Sequence, residues 1–222
     1  MKRLIIILFG ILFLTLASCQ GLDVIGNDSI SAFEEMLNYY ENNISYNSNY
    51  NTFELVSPDN STILGWCADY SVGYQNGLII SVDASVFLKA GLNESKLPDN
   101  IIIDDDRLIF GVNYNFVQIS STELQMPLQA YKLILGENRY NLSFHSMGDH
   151  FSLKVGEGNS FEWAKDMLSN ESDIVFMLDP QILTNADADI TKIQGWELRT
   201  ISVHSRMTMI QTEKLVKSFN IK

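Results

Sequence analysis

The sequence predicts an α+β fold: antiparallel sheet with helices packed on one face, built from two pseudo-repeats. Three observations predict it. The chain repeats itself at long range. Each copy opens with an apolar stripe at helical spacing. Alternating, β-branched segments follow each stripe, as strands do.

The repeat comes from setting VDASVFLKAGLNESKLPDN (82–100) above LDPQILTNADADITKIQGW (178–196). Asp83 falls on Asp179, Val86 on Ile182, Phe87 on Leu183, Ala90 on Ala186, Ser95 on Thr191, Lys96 on Lys192 and Leu97 on Ile193, all at an offset of 96. Upstream, Trp66-Cys67-Ala68-Asp69 falls on Trp163-Ala164-Lys165-Asp166 at an offset of 97. Further back, Glu41-Asn42 meets Glu137-Asn138, and Ile44-Ser45-Tyr46 meets Leu142-Ser143-Phe144. Agreement in order over most of both halves reads as a duplication, with copies of about 30–118 and 119–222.

Each element is then read twice. Ser31 to Asn43 carries Phe33, Met36, Leu37 and Tyr40 on one stripe, with Ser29 as N-cap. Pro127 to Asn138 is its counterpart, with proline suited to a first turn. Taken alone, YKLILGENRYNLSF also fits a β-hairpin; the repeat tips it to helix. Thr52–Val56 pairs with Phe151–Val155 as extended segments, and Gly77–Val82 with Asp173–Leu178. A short helix follows each, capped by Asp83 or Asp179, with Pro180 at the first helical position. Ile101–Asn113 and Gly195–His204 read as strands, and Asp104-Asp105-Asp106 as a hairpin turn. Thr212–Phe219 reads as a last short helix.

With no Pro-, Gly- or Ser-rich linker between the copies, residues 30–222 read as a single α+β domain. The 46% apolar content is enough for a sizeable core. A single joined sheet and two packed sub-domains are both open.

The first residues have another purpose. Lys2 and Arg3 precede an apolar run, Leu4–Ala17, of 14 residues. A bilayer-spanning helix needs roughly 20. The run therefore reads as a signal peptide over 1–18. Leu16-Ala17-Ser18-Cys19 resembles a bacterial lipobox: one aliphatic residue, two small ones, then cysteine. The resemblance implies cleavage before Cys19 and lipidation of its thiol, with 19–29 as a short tether. Each buried methylene of such a lipid adds about 0.8 kcal/mol of membrane affinity. The expected location is a cell membrane or outer membrane, with the domain facing the extracytoplasmic side.

Charge and cysteine content narrow the rest. The formal net charge is -12, and loss of Lys2 and Arg3 with the signal peptide makes it -14. So acidic a chain will not seek nucleic acid or an anionic lipid surface. Its expected partners are the membrane, through the N-terminal lipid, and an unknown small ligand or envelope protein. With Cys19 modified, Cys67 has no disulfide partner and reads as a buried structural thiol.

Catalytic signatures are scarce. The chain has no G-x-S-x-G elbow, no phosphate-binding Gly-rich loop, no C-x-x-C and no H-E-x-x-H. His145, Asp149 and His150 form the one cluster that could serve a metal or general acid–base chemistry. A spacing of five suits one face of neither a helix nor a strand, so a polar loop is expected, with no metal and no cofactor. Asn185, Asp187 and Asp189 alternate like the start of a calcium loop, but an EF-hand needs glycine at Ile190 and glutamate at Trp196. The first copy has Lys89, Gly91 and Asn93 there, so the acids lie outside the shared unit.

Residues kept by both copies, Trp66/Trp163, Asp69/Asp166 and Lys96/Lys192, read as those the fold needs. Function is expected where the copies differ: the 145–150 stretch and GEGNSFEW (156–163). The tyrosines of the first half, with Trp66, offer polar-tipped aromatics suited to a contact surface or to half-buried packing.

The stretches FEWAKDM and FLKAGLNESKLPDN resemble those of a group of uncharacterised two-copy bacterial lipoproteins. The resemblance covers most of the mature chain and implies no activity and no site residue beyond Cys19. The expected function is a membrane-anchored envelope or surface lipoprotein, a non-enzymatic domain that binds a ligand or protein. The alternative is an envelope or extracellular hydrolase drawing on His145, Asp149 and His150.

Overall fold

The computed structural model describes residues 26–48, 51–68, 77–111, 126–145, 149–156, 158–166, 174–205 and 208–219. The lipobox, Cys19, Asp69, Tyr50, Tyr70 and Tyr74 lie outside them.

Each copy builds one six-stranded antiparallel sheet. The first copy runs α1 (26–39), β1 (Ile44–Asn47), β2 (Thr52–Val56), β3 (Thr62–Cys67), β4 (Leu78–Asp83), α2 (Ala84–Lys89), β5 (Ile101–Asp104) and β6 (Arg107–Gly111). The second runs α3 (Pro127–Glu137), β7 (Leu142–His145), β8 (His150–Lys154), β9 (Ser160–Ala164), β10 (Ile174–Leu178), α4 (Pro180–Asn185), β11 (Glu197–Ser205) and β12 (Thr208–Phe219). The strand orders are β1-β2-β3-β4-β6-β5 and β7-β8-β9-β10-β12-β11. The two connectivities are the same, which makes the repeat a structural fact.

The local backbone repeats as well. Asn51 and Asp149, Asn60 and Gly158, and Gly91 and Asp187 form three matched pairs, and all six have positive φ. Asn, Asp and Gly tolerate that region best, which is why such residues recur there. Asp83 and Asp179 accept from the Ser85 and Gln181 amides at 2.8 and 2.9 Å. Asn93 and Asp189 likewise cap the 3-10 turns that begin at Glu94 and Ile190. The sequence alignment set Glu41-Asn42 on Glu137-Asn138, but the 3-10 turn Glu41–Asn43 matches Arg139–Asn141. The true offset there is 98, and it falls to 96 by Asp83 and Asp179 because the second copy is two residues shorter in between, one of them in the turn Val155–Asn159 that matches Ser57–Thr62.

The inner faces of both sheets meet in a single cluster of buried side chains drawn from both copies. Phe33 of α1 and Tyr131 of α3 stack at its centre, with ring centroids 3.5 Å apart. Trp66 of β3 lies 5.8 Å from Phe33 and 6.1 Å from Tyr131; Trp163 of β9 lies 5.7 and 6.0 Å from them. The indoles reach across reciprocally. Trp66 Nε1 donates to Pro127 O and Trp163 Nε1 to Ser29 O, each at 3.0 Å. A second exchange joins the copies farther out. The Asn93 amide donates to Ala186 O and the Asp189 amide to Ala90 O, at 2.7 and 2.8 Å. Trp66, Trp163, Phe33 and Tyr131 are fully buried, and a buried large side chain contributes roughly 1.5–3 kcal/mol.

Several sequence expectations need correction. The α+β class built from two repeats holds, and of the two arrangements left open each copy takes its own sheet; the correction is to the helices, since α1 and α3 lie between the tryptophans of both copies rather than on one face of one sheet. Ser29 is not the N-cap: the helix extends back to residue 26, and the Ser29 hydroxyl donates to Gly26 O. Thr212–Phe219 is not a helix but part of β12, paired with β10 and β11. Leu178 pairs with Leu215 as Val82 does with Leu108. A longer β11–β12 hairpin shifts the offset there from 96 to 107, so the repeat could not guide the sequence reading. Strand wins because β10 needs a neighbour for its open edge.

Candidate functional site

The stretches in which the copies differ come together on the outer face of the second sheet. His145 and His150 are direct cross-strand partners on β7 and β8, and His150 in turn faces Ala164 on β9. The five-residue spacing that argued for a loop is the spacing of a hairpin. The turn between them places Asp149 at φ 54, where its carbonyl accepts from the Lys165 amide at 2.8 Å. Asp149 thus ties the start of β8 to the end of β9 through its backbone.

The next row on that face runs Ser143, Ser152, Glu162, Val175 and Ser218. Glu162 belongs to the GEGNSFEW stretch. Its side chain is only 12% exposed, and Oε1 lies 3.9 Å from His145 Nε2, whose side chain is 50% exposed. That gap is longer than a hydrogen bond. Burial pushes the Glu162 carboxyl above its usual range; His145, a hydrogen bond from Ser152 and His150 pull the other way. Sequence reasoning named both stretches but missed Glu162 itself. A lone glutamate between Phe161 and Trp163 carries the signal in retrospect, since alternation puts it on the face opposite two core aromatics.

The remaining candidates serve the fold. Asp187 bonds Lys96 at 2.7 Å, and Asp189 bonds Lys192 at 2.6 Å. Each lysine kept by both copies thus pairs with an acid of the supposed calcium loop. Asp105 and Asp106 form the β5–β6 turn at φ 42 and 63. Cys67 is buried. Among the described tyrosines of the first half, Tyr39 is exposed, Tyr40 is buried, and Tyr46 donates to Asn51 Oδ1 at 2.8 Å. They do not share one surface. Among the described residues, no three His, Cys, Asp or Glu side chains stand in ligating positions, and no helix is long and apolar enough to cross a membrane.

A second concave feature lies at the seam between the copies. A cleft of about 490 Å³ has Pro58 and Asp59 of the first copy on one side and Gly195, Glu197 and Val216–Phe219 of the second on the other. Lys217 bridges it. Its ammonium pairs with Asp59 at 2.7 Å, bonds the Ser61 hydroxyl, and lies 5.5 Å from the Phe219 ring centroid. Burial raises the Asp59 pKa, but the bonds from Lys217, Ser61 and Ser57 outweigh it and hold the carboxyl well below its usual range. The cleft therefore offers an ion pair and an aromatic ring.

No family model matches this chain, and no curated protein or solved structure shows significant similarity to it.

Proposed function

We propose that this protein is a lipid-anchored envelope lipoprotein whose folded part is a binding domain, with the seam cleft as its ligand site. The observation that carries the reading is the cleft itself: about 490 Å³, walled by both copies. That volume falls within the roughly 300–1,000 Å³ of small-molecule sites. Its lining suits a small ligand with an apolar portion and a polar group that engages Lys217 or Asp59. Cys19 would carry the anchor, and the short stretch 20–25 ahead of α1 would keep the domain near the membrane.

The test has two parts. The full-length protein should partition with membranes and incorporate labelled palmitate, and Cys19→Ser should abolish both. Native mass spectrometry of the untagged protein, released gently from its membrane, should show a reproducible organic adduct. Lys217→Met combined with Asp59→Asn, which removes both charged groups of the cleft's ion pair together, should remove it. A clean unliganded mass for the wild type sinks the cleft reading.

A second reading, an envelope or extracellular hydrolase, is favoured by one observation: the buried Glu162 carboxyl beside His145. A raised carboxyl next to an imidazole is a general acid–base arrangement. Alanine at His145 or His150 should then abolish hydrolysis while leaving the protein folded.

A further inference from the structure

We propose that β11 is the surface through which two molecules of this chain associate, edge to edge and antiparallel, so that their second sheets run on into one. The length of the edge points there. The edge strands are β1 and β5 in the first sheet and β7 and β11 in the second. β1, β5 and β7 have four residues each, whereas β11 has nine. Among the described residues β11 pairs with β12 alone, in nine consecutive pairs without a bulge. Its other side presents a long row of backbone donors and acceptors.

The extra length is specific to the second copy. Asp104 and Arg107 close the β5–β6 hairpin where Arg199 and Lys214 stand on β11 and β12. Beyond them the second copy adds six more cross-strand pairs, from Thr200↔Glu213 to Ser205↔Thr208. At about 3.4 Å per residue, that is an arm of roughly 20 Å. β10 reaches β12 only from Leu215 onward, so among the described residues the arm has two strands. A two-stranded hairpin by itself is marginally stable in water, and further strands are what stabilise it. Nothing on β11 guards against one. Protein edges are blunted by shortness, lysine, proline or a bulge. β11 has no lysine, no proline and no residue of positive φ. Its arginine, Arg199, is already paired with Glu197 at 2.6 Å.

The strand is complementary to itself, which favours a second molecule of this chain as the partner. Full antiparallel overlap puts a two-fold axis at Ile201, the middle of Glu197–Ser205. Ile201 then faces Ile201 of the other molecule, Arg199 faces Val203, Leu198 faces His204, and Glu197 faces Ser205. No like charges stand directly opposed, and a β-branched pair sits on the axis. Exposed apolar residues flank the contact. Leu198 lies in it and is 42% exposed, and Ile210, one strand behind on β12, is 48% exposed. The pairing also brings Ser205 of the other molecule beside Glu197, which lines the seam cleft. An edge contact of this size belongs to the weak, concentration-dependent class of interfaces. The inference stands whether or not the cleft holds a ligand.

The experiment uses the full chain in detergent micelles, followed by sedimentation equilibrium from low to high micromolar concentration. The wild type should pass from one chain to two per particle as concentration rises. Ile201→Lys, which sets two ammonium groups opposite each other on the axis, should stay at one chain. Circular dichroism checks that this variant keeps its sheet. A second measurement reads the register. Ile201→Cys is mildly oxidised, digested and mapped by mass spectrometry. Directly opposed positions have Cα atoms about 4.5–5.5 Å apart, within reach of a disulfide, so two residue-201 peptides should be joined. Arg199→Cys should not join to itself, because the two 199 positions lie roughly 13 Å apart along the strands. Should Ile201→Lys not fold, the two cysteine variants carry the test. A wild type that stays a single chain throughout overturns the proposal. So does a dimer that Ile201→Lys leaves intact, or one in which residue 199 cross-links to itself more readily than residue 201.

Discussion

The inner faces of the two copies are close to interchangeable, and the outer faces are not. On the inner side Trp66 matches Trp163, Phe53 matches Phe151, Leu55 matches Leu153, and Val82 matches Leu178, all buried. On the outer side of the first copy, Glu54 on β2 accepts from Asn47 Nδ2 at 2.9 Å and from Thr52 at 3.5 Å. In the second copy the carboxylate has moved one strand over, to Glu162 on β9, and the positions of Asn47 and Thr52 carry histidines. The difference shows where a duplicated fold is free to change. The inner faces share a close-packed core, where a change of even one methylene is felt. The outer faces do not face that shared core, so each can take its own polar chemistry.

The largest test of this comparison is at the indoles. Trp66→Ala and Trp163→Ala should each cost about 3–5 kcal/mol, because each leaves a large cavity and removes the hydrogen bond that ties the indole to the first turn of the other copy's helix. Denaturant unfolding measures both. Near-equal losses support a seam to which both copies contribute alike; a loss at one position only would break the equivalence.

A smaller effect separates two matched turns. Asn60 and Gly158 both have positive φ, 59 and 76. Asn60→Ala should cost about 1 kcal/mol from the left-handed backbone alone. Gly158→Ala should cost about 2 kcal/mol or more, since its new Cβ would also meet Asp179 Cβ at 2.7 Å. Asn60→Gly should be close to neutral. Thermal melts that rank the two alanine variants the other way would mean the turns are not equivalent in strain.

The smallest effect is at Glu162 and depends on pH. Burial raises its folded pKa above the ordinary value of 4.5. A raised carboxyl stabilises the fold below its unfolded pKa, and that contribution is lost as pH rises through the folded pKa. Glu162→Gln, which stays neutral, should therefore raise the melting temperature at pH 7. The gain should shrink as the medium is acidified and vanish below about pH 4. A Gln variant less stable than wild type at pH 7 would show that the histidines already compensate the buried charge.

Much of the fold was legible because the sequence states it twice. Asp83 and Asp179 could be read as caps, since a short polar side chain before an apolar run has few other uses. YKLILGENRYNLSF became a helix only by comparison with its partner. The reading failed where the two statements diverge. Thr212–Phe219 lost its guide when the β11–β12 hairpin lengthened, and its mixture of charges and apolar residues imitates a helical stripe. His145 and His150 were visible as residues but not as neighbours, because five positions place two side chains together only if the chain turns back between them.

By itself, then, the sequence determined the duplication, the caps, the buried tryptophans and the acidic character, all of which depend on residue type and local spacing. Tertiary structure alone decided that each copy closes its own sheet, that each indole bonds the other copy's helix, and that Glu162 sits beside His145. Those outcomes depend on strand register and on packing between segments far apart in sequence. No local pattern encodes such contacts, since the same alternating strand can pair with any neighbour that covers its apolar face.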